Sequence, residues 1–250
     1  MPKRLVIGNW KMHGSRSGSL ALSKEIACGL AAGAVSVSVE VVLCPPSLFI
    51  DSVAAAVGDK DIALGAQNVC EYEDGAYTGE VSGSMLREFG VTYVLVGHSE
   101  RRRYFREDDR QVADKFAAAQ NAGLIPVLCI GESLAERQAG ETEAILERQL
   151  QAVFETVDSK QMQNVVVAYE PVWAIGTGEV ATPALVEQVA ATVRAKIRGA
   201  GDSCRLLYGG SVTPDNAQQL FAVPGIDGLL VGGASLDADK FVSICRVAGG

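Results

Sequence analysis

Chemically capable side chains follow several short apolar runs of this chain. Glu170 comes directly after the run "VVVAY", and His98 follows the run "YVLVG". The first apolar run leads into "GNWK", which supplies Asn9 and Lys11. A carboxylate that removes a proton next to a carbonyl needs partners that stabilise the resulting oxyanion, and an imidazole and a lysine can both do so. If the fold brings these side chains close together, they predict proton abstraction next to a carbonyl group.

Two glycine-rich turns indicate what else the substrate carries. The chain reads "YGGS" at 208–211 and "VGGAS" at 231–235, each after an apolar run. Backbone N–H groups that no side chain covers, at the start of a following helix, form a site for anions. In α/β barrels phosphate commonly binds at the loops after strands seven and eight. With the carboxylate, the imidazole and the lysine, these turns predict a small phosphorylated sugar as substrate.

Each of these features also has a purely structural alternative. Lys11 could be one more solvated lysine, His98 a hydrogen-bonded structural histidine, and Glu170 the partner of a neighbouring arginine. The two glycine-rich stretches could be no more than tight turns. None of these alternatives requires all the residues to share one rim, so their joint occurrence at the ends of apolar runs favours a functional site.

Eight short runs rich in β-branched residues are the predicted strands that position these groups. Their hydrophobicity is nearly continuous rather than alternating, which is typical of strands covered on both faces. The predicted strands are Leu5–Gly8, Val39–Cys44, Ile62–Gly65, Tyr93–Gly97, Ile125–Ile130, Val165–Tyr169, Arg205–Gly209 and Gly228–Val231.

Segments with helical spacing lie between the predicted strands, and several carry helix-start signals. Ser133 and Glu136 form a capping-box pattern, and Pro183 and Pro214 each follow a threonine. The sequence "NAG" at 121–123 indicates a helix end with glycine just beyond it. The clearest predicted helices are Leu20–Leu30, Asp108–Ala122, Glu141–Val157 and Pro183–Ile197.

Strands that alternate with helices predict an α/β fold. Eight such units in 250 residues, with no composition shift and no linker, favour a single-domain (β/α)8 barrel over residues 1–250. Its active site would lie at the C-terminal ends of the eight parallel strands. An open, doubly wound sheet is the alternative that the pattern leaves open.

Charge and residue usage exclude several classes of function. The formal net charge of −8 argues against a binding surface for nucleic acid or for an anionic membrane. The basic run at 101–103 lies among acidic residues, which favours a salt-bridged helix start over a binding patch. The six cysteines include no C-x-x-C pair and the chain has only two histidines, so no metal site is expected.

No targeting segment, membrane span or dinucleotide site is indicated. The apolar run in "MPKRLVIGNWK" is too short for a signal peptide, and no stretch reaches the roughly 18 residues of a membrane span. We therefore expect a cytoplasmic protein with reduced thiols. The stretch "GTGEVA" at 176–181 matches a dinucleotide pattern, but the next helix is predicted to start only near Pro183, so no nicotinamide cofactor is expected.

One connection is much longer than the others. The sequence "AQNVCEYEDGAYTG" at 66–79 is polar and glycine-containing and has no clear periodicity. Loops of this length in compact domains are usually functional or interfacial. Its apolar residues Val69, Tyr72 and Tyr77 favour an interface, and residues 66–79 are called the interface loop below.

Over nearly its whole length the chain resembles the triosephosphate isomerase family. The matching stretches are "GNWKM", "GAQNV", "GAYTGE", "VGHSERR", "PVLCIGE", "AYEPVWAIGTG", "YGGSV" and "DGLLVGGASL". Their order and spacing are highly specific in combination. The resemblance implies a TIM barrel that interconverts dihydroxyacetone phosphate and D-glyceraldehyde 3-phosphate in glycolysis and gluconeogenesis, without cofactor or metal.

The resemblance also implies a role for individual residues. Glu170 is similar to the base that shuttles the proton between adjacent carbons. His98 is similar to the electrophile, which acts as a neutral imidazole. Lys11 is similar to the lysine that balances the phosphate and the enediolate.

Further residues have supporting roles by the same resemblance. Asn9 would help to hold the substrate oxygens, and Ser99 would contact the resting base. Glu100 resembles a carboxylate that lies beside the lysine in a second layer. The phosphate would meet the backbone N–H groups of Gly176, Ser211, Gly232 and Gly233.

A closing lid and a homodimer are implied as well. Residues 171–173 would be the hinge and 174–178 the tip of a lid that excludes water from the site. The interface loop would insert into the neighbouring subunit, where Thr78 would approach the partner's Asn9–Lys11 region.

Three departures from the family pattern bear on the lid and the interface and not on the chemistry. His13 stands where the family nearly always has asparagine, and Tyr77 replaces a common phenylalanine. Residues 179–180, Glu-Val, replace the usual lysine and small residue of the trailing hinge. A related phosphosugar isomerase and a catalytically idle barrel that binds a phosphosugar or a protein remain alternatives.

Overall fold

A closed ring of eight parallel strands forms the centre of the protein. The computed structural model describes residues 3–32, 39–58, 60–157, 165–175, 181–197 and 204–250. The strands run in sequence order around the ring, and β1 closes it by pairing with β8 from Leu5↔Gly228 to Gly8↔Val231. The predicted (β/α)8 barrel is therefore confirmed, and the open-sheet alternative is wrong. The strands are β1 (Arg4–Asn9), β2 (Val39–Cys44), β3 (Ile62–Ala66), β4 (Val91–Val96), β5 (Ile125–Ile130), β6 (Val166–Tyr169), β7 (Arg205–Tyr208) and β8 (Gly228–Val231).

Helices surround the ring and return the chain from the end of one strand to the start of the next. They are α1 (Arg16–Ala32), α2 (Ile50–Val57), α3 (Gly83–Glu88), α4 (Ser99–Tyr104), α5 (Asp109–Asn121), α6 (Leu134–Gln138), α7 (Thr142–Phe154), α8 (Pro183–Ile197), α9 (Pro214–Phe221) and α10 (Ala238–Gly249). The predicted capping box at Ser133 and Glu136 is present, and α8 and α9 start at the predicted prolines. Gly123 has a φ of +75° just beyond α5, as a glycine at a helix end does.

The strands bury side chains on both faces, which explains their continuous hydrophobicity. Alternate residues such as Leu5 and Ile7 of β1 belong to a cluster of twelve buried side chains inside the ring. Val6 of the same strand belongs to the larger cluster between the strands and the helices. The barrel interior is thus a filled core, and it supports the C-terminal ends of the strands.

Differences from the sequence prediction concern boundaries and short elements. Helix α1 starts at Arg16, four residues before the apolar spacing becomes regular, and α2 and α3 are too short for the spacing to reveal them. The basic run lies within α4, where Arg101 contacts Glu107 at 2.6 Å and Arg102 contacts Asp109 at 2.6 Å. These ion pairs confirm that the run is a salt-bridged helix.

Two general features accompany this fold. Among the helices that the structure describes, none is long and apolar enough to cross a membrane. All six cysteines lie in described parts of the chain and are free thiols, five of them buried.

Candidate active site

A cavity of about 600 Å³ opens at the C-terminal ends of the strands. Its wall includes residues that follow β1, β4, β6, β7 and β8. The structure brings together at this cavity the predicted site residues Asn9, Lys11, His98, Glu170, Ser211, Gly232 and Gly233. Gly176 lies outside the described residues. A cavity of this size, with few polar groups that converge on it, is typical of a small-molecule site.

Glu170 is the most deeply buried of the charged groups in the cavity wall. It follows β6 directly, is 2% exposed, and its N–H donates to the Ile130 carbonyl at 2.7 Å. Its Oε1 lies 2.9 Å from His98 Nε2, and its Oε2 accepts the Ser99 N–H at 2.9 Å. The charged partner is therefore an imidazole, and the alternative of a paired arginine is wrong.

Two glycines make room for this carboxylate. A Cβ at Gly131 would lie 1.8 Å from the Glu170 carbonyl oxygen, so no side chain fits at that position. A Cβ at Gly209 would lie 3.1 Å from Glu170 Cγ, a contact that requires the carboxylate arm to shift. The buried Gln149 fixes the Gly131 backbone, because its Oε1 accepts the Gly131 N–H at 2.9 Å and its Nε2 donates to the Gly131 carbonyl at 3.2 Å.

Contact between Glu170 and His98 favours the charged form of both groups. Burial by itself would raise the pKa of the Glu170 carboxyl, but the imidazole and the Ser99 N–H outweigh it, so the pKa lies below 4.5. Burial by itself would lower the pKa of His98, but the Glu170 carboxylate outweighs it, so the pKa lies above 6.5. The resting pair is therefore stabilised by a charge interaction that lasts only while the two groups touch.

His98 also caps the helix that follows it. It precedes α4, and its Nδ1 accepts the Glu100 N–H at 3.2 Å. In the neutral ring the Nδ1 that accepts this hydrogen bond carries no proton, so the single ring proton lies on Nε2, which faces the cavity. Burial, the Glu100 N–H and the Lys11 ammonium favour the neutral ring, and the Glu170 and Glu100 carboxylates favour the protonated ring.

Lys11 reaches the cavity from an unusual backbone conformation. Its φ is +51°, in the left-handed region that residues with side chains rarely adopt. Asn9, the last residue of β1, accepts the Lys11 N–H through its Oδ1 at 3.0 Å. Lys11 Nζ donates to Glu100 Oε1 at 2.6 Å, so the lysine and the histidine both contact the start of α4.

Comparison with known proteins agrees with this geometry. The family model described as triosephosphate isomerase matches residues 4–248. The chain belongs to the triosephosphate isomerase family. A triosephosphate isomerase of Dechloromonas aromatica (strain RCB) is 51% identical over 99% of this chain and 100% of the relative. Triosephosphate isomerases of Paracidovorax citrulli (strain AAC00-1) and Xanthomonas campestris pv. campestris (strain 8004) are 52% and 50% identical over at least 98% of both chains. The predicted family and enzyme class, an isomerase on a TIM barrel, are confirmed.

Residues of both glycine-rich turns of this triosephosphate isomerase family member line the cavity. A Cβ at Gly232 would lie 3.5 Å from Lys11 Cε, and a Cβ at Gly233 would meet nothing within 4 Å. Ser211, after β7, also lines the cavity. Open space above glycine backbone next to an ammonium group suits a phosphate group.

One buried carboxylate near the site was missed from the sequence. Glu132 follows β5, is fully buried, and its Oε1 accepts the Tyr169 hydroxyl at 3.1 Å and the Trp173 Nε1–H at 3.0 Å. Arg137 also lies over the Trp173 ring, 5.0 Å from its centroid. The signal that identified Glu170, a carboxylate directly beyond an apolar run, was present at "CIGE" as well.

The interface loop leaves the barrel and exposes aromatic surface. Tyr72 and Tyr77 stack with ring centroids 4.3 Å apart, and they remain 49% and 43% exposed. The Cys70 N–H donates to the Val81 carbonyl at 2.9 Å and ties the loop to the chain just beyond its end. Thr78 is exposed at the same tip.

Proposed function

We propose that this protein interconverts dihydroxyacetone phosphate and D-glyceraldehyde 3-phosphate, a step of glycolysis and gluconeogenesis. Membership of the triosephosphate isomerase family supports the substrate. The observation that carries the proposal is the contact of the buried Glu170 carboxylate with His98, in the cavity that Lys11 also lines. A base, a hydrogen-bond donor and a cation converge there on a space large enough for a triose phosphate.

The reaction moves one proton and leaves the redox state of the substrate unchanged. The Glu170 carboxylate takes the proton from the carbon next to the carbonyl, and the C–H electron pair forms the double bond of an enediolate. His98, as neutral imidazole, donates Nε2–H to the developing oxyanion and relays protons between the two oxygens. Glu170 then returns its proton to the adjacent carbon, so no cofactor or metal is required.

Binding residues hold the substrate on either side of this chemistry. Lys11 balances the charge of the phosphate and of the enediolate, and Asn9 helps to hold the substrate oxygens. Ser99 holds the resting base and Glu100 supports the lysine. The phosphate binds the backbone N–H groups of Ser211, Gly232 and Gly233, together with Gly176.

A lid over the cavity completes the proposed mechanism. Trp173 lies in the short 3-10 segment Val172–Ala174, which Pro171 joins to Glu170, so a movement of this hinge also moves Glu170. In the described arrangement the carboxylate is bound to His98 and Ser99 and has to leave both to reach a carbon atom. Closure would exclude water, strengthen the electrostatic interactions in the site and direct the carboxylate onto the substrate. Residues 176–180, which include the departures Glu179 and Val180, lie outside the described residues.

We also propose that residues 1–250 act as one barrel domain, that the domain forms a homodimer, and that it works in the cytoplasm. The exposed tyrosine stack of the interface loop supports the dimer, with Thr78 near the partner's Asn9–Lys11 region. Tyr77, one departure from the family pattern, would lie at this contact, and His13, another departure, lies in the wall of the cavity. The free thiols support a reducing compartment.

The first experiment is turnover of D-glyceraldehyde 3-phosphate by the purified protein. Product formation is coupled to NADH oxidation through glycerol-3-phosphate dehydrogenase. We expect fast conversion without any added cofactor, and Glu170→Ala should fold normally and lose at least about a thousandfold in kcat. A wild-type rate in Glu170→Ala would contradict the mechanism. A folded wild type without activity would favour the idle barrel, and a panel of other phosphosugars separates a related isomerase.

A further inference from the structure

A glutamine at the start of the interface loop holds the main chain of Lys11. Gln67 directly follows β3, and its Nε2 donates to the Lys11 carbonyl at 2.8 Å and to the Cys44 carbonyl at 2.9 Å. A side-chain amide has two N–H hydrogens, and here each has its own carbonyl acceptor. Because both neighbours are acceptors, only the nitrogen of the amide can face them.

Lys11 depends on such support because its backbone is strained. A residue with a side chain keeps a φ of +51° only where the surrounding structure holds it there. Asn9 Oδ1 holds the N–H of Lys11, and Gln67 Nε2 holds its carbonyl. The two hydrogen bonds lie on either side of the Lys11 α-carbon and together fix the direction in which the side chain leaves the backbone.

The other end of this tie is anchored to the barrel. Cys44 is the last residue of β2, and its carbonyl also accepts the Trp10 N–H at 3.1 Å. Cys44 pairs with Asn9 in the register of β1 and β2. Gln67 therefore connects the strained residue to the rigid ends of three neighbouring strands, β1, β2 and β3.

We infer that Gln67 is a positioning residue that keeps Lys11 Nζ directed at the anionic groups of the substrate. The inference rests on the role of Lys11 proposed above. Nζ lies 2.6 Å from Glu100 Oε1 on the far side of a long side chain, so a rotation of the Lys11 backbone would move it far. A displacement of about 1 Å at a reacting group is enough to cost on the order of a hundredfold in rate.

The variant Gln67→Met tests the inference because methionine keeps the size of the side chain and removes both donors. We expect kcat/KM to fall roughly tenfold or more. This loss is smaller than the roughly hundredfold loss expected when a reacting group is displaced by about 1 Å. Gln111→Met is the matched control, because Gln111 Nε2 ties the same loop at Glu71 Oε1, at 2.9 Å, through a hydrogen bond that does not involve Lys11. We expect Gln111→Met to stay within about twofold of the wild type.

A double-mutant cycle with Lys11→Met separates positioning from a general structural role. If Gln67 acts through Lys11, then Gln67→Met should change kcat/KM by less than about twofold in the Lys11→Met background. An equal loss in both backgrounds, an unchanged rate in Gln67→Met, or an equal loss in Gln111→Met would overturn the inference. Sedimentation and thermal melting are recorded for each variant, and a loss of rate that higher protein concentration restores would overturn it too. A wild-type rate in Lys11→Met would instead refute the role proposed for Lys11.

Discussion

The buried ion pair beneath the interface loop gives the sharpest stability prediction. Lys115 Nζ lies 2.5 Å from Glu107 Oε1 and donates to Asn68 Oδ1 at 3.0 Å, and the two charged side chains are 3% and 2% exposed. Arg101 Nε contacts the same carboxylate oxygen at 2.6 Å. Lys115→Met keeps most of the volume of the side chain and removes the one fully buried cation of this cluster.

Removal of one partner from a buried pair costs about 3–5 kcal/mol, because the remaining charge is left in a poorly solvating environment. Arg101 still contacts Glu107, so we expect the lower end, about 3 kcal/mol, for Lys115→Met. In a chain of this size about 1 kcal/mol shifts the melting temperature by about 2–4 °C. The expected decrease is therefore about 6–12 °C.

Thermal and urea unfolding, followed by circular dichroism at one fixed protein concentration, measure this effect. The control is the double variant Glu107→Gln with Lys115→Met, in which neither buried charge remains. We expect it to be more stable than Lys115→Met alone, because the penalty comes from the unpaired charge and not from the missing contact. A Lys115→Met protein within about 1 kcal/mol of the wild type, or a double variant as unstable as the sum of the singles, would refute this reasoning.

Three further predictions concern the site and the loop. Gly209→Ala places a Cβ 3.1 Å from Glu170 Cγ. This substitution should lower kcat on the order of tenfold while the melting temperature stays nearly unchanged. A kcat equal to that of the wild type would show that the Glu170 side chain can shift without loss of activity. The pKa of Glu170 is lowered, so its contribution to stability should be complete above pH 4.5 and be lost as the pH falls below that value. The pKa of His98 is raised, so its contribution to stability should be complete below pH 6.5 and be lost at higher pH. The difference in unfolding free energy between wild type and His98→Gln should thus be greatest between these pH values, and a flat urea-unfolding difference from pH 5 to 9 would contradict it. Deletion of residues 70–76 removes Tyr72 and should give a weakly active monomer, and a deletion variant that sediments as a fully active dimer would exclude the loop as the interface.

Much of the site could be predicted because its polar and charged residues stand next to buried apolar strands, where such residues are uncommon. A carboxylate, a lysine or a histidine directly after a buried strand costs free energy unless a partner or a ligand is present, so Glu170, Lys11 and His98 stand out. Parallel strands place their C-terminal ends at one rim of the barrel, so residues that follow different strands are expected to lie close together. The glycines after β7 and β8 stand out in the same way.

The supporting residues could not be identified in this way, because their roles depend on contacts between distant positions. Gln67 meets the Lys11 carbonyl across 56 positions of sequence, and a glutamine at the start of a polar loop has nothing unusual about it. Gly131 resembles many glycines in turns until the Glu170 carbonyl is placed beside it. The left-handed backbone of Lys11 is likewise set by its neighbours in space and not by the residue type.

The filled interior of the barrel determines how substrate enters the site and how product leaves it. Twelve side chains inside the ring give the cavity a solid floor among the described strands, so molecules enter and leave at the rim. Incoming substrate must displace water through the opening by which it arrives, and product must leave by the same opening before the next molecule enters. The two triose phosphates therefore compete for the same cavity, and each direction of the reaction is inhibited by its own product.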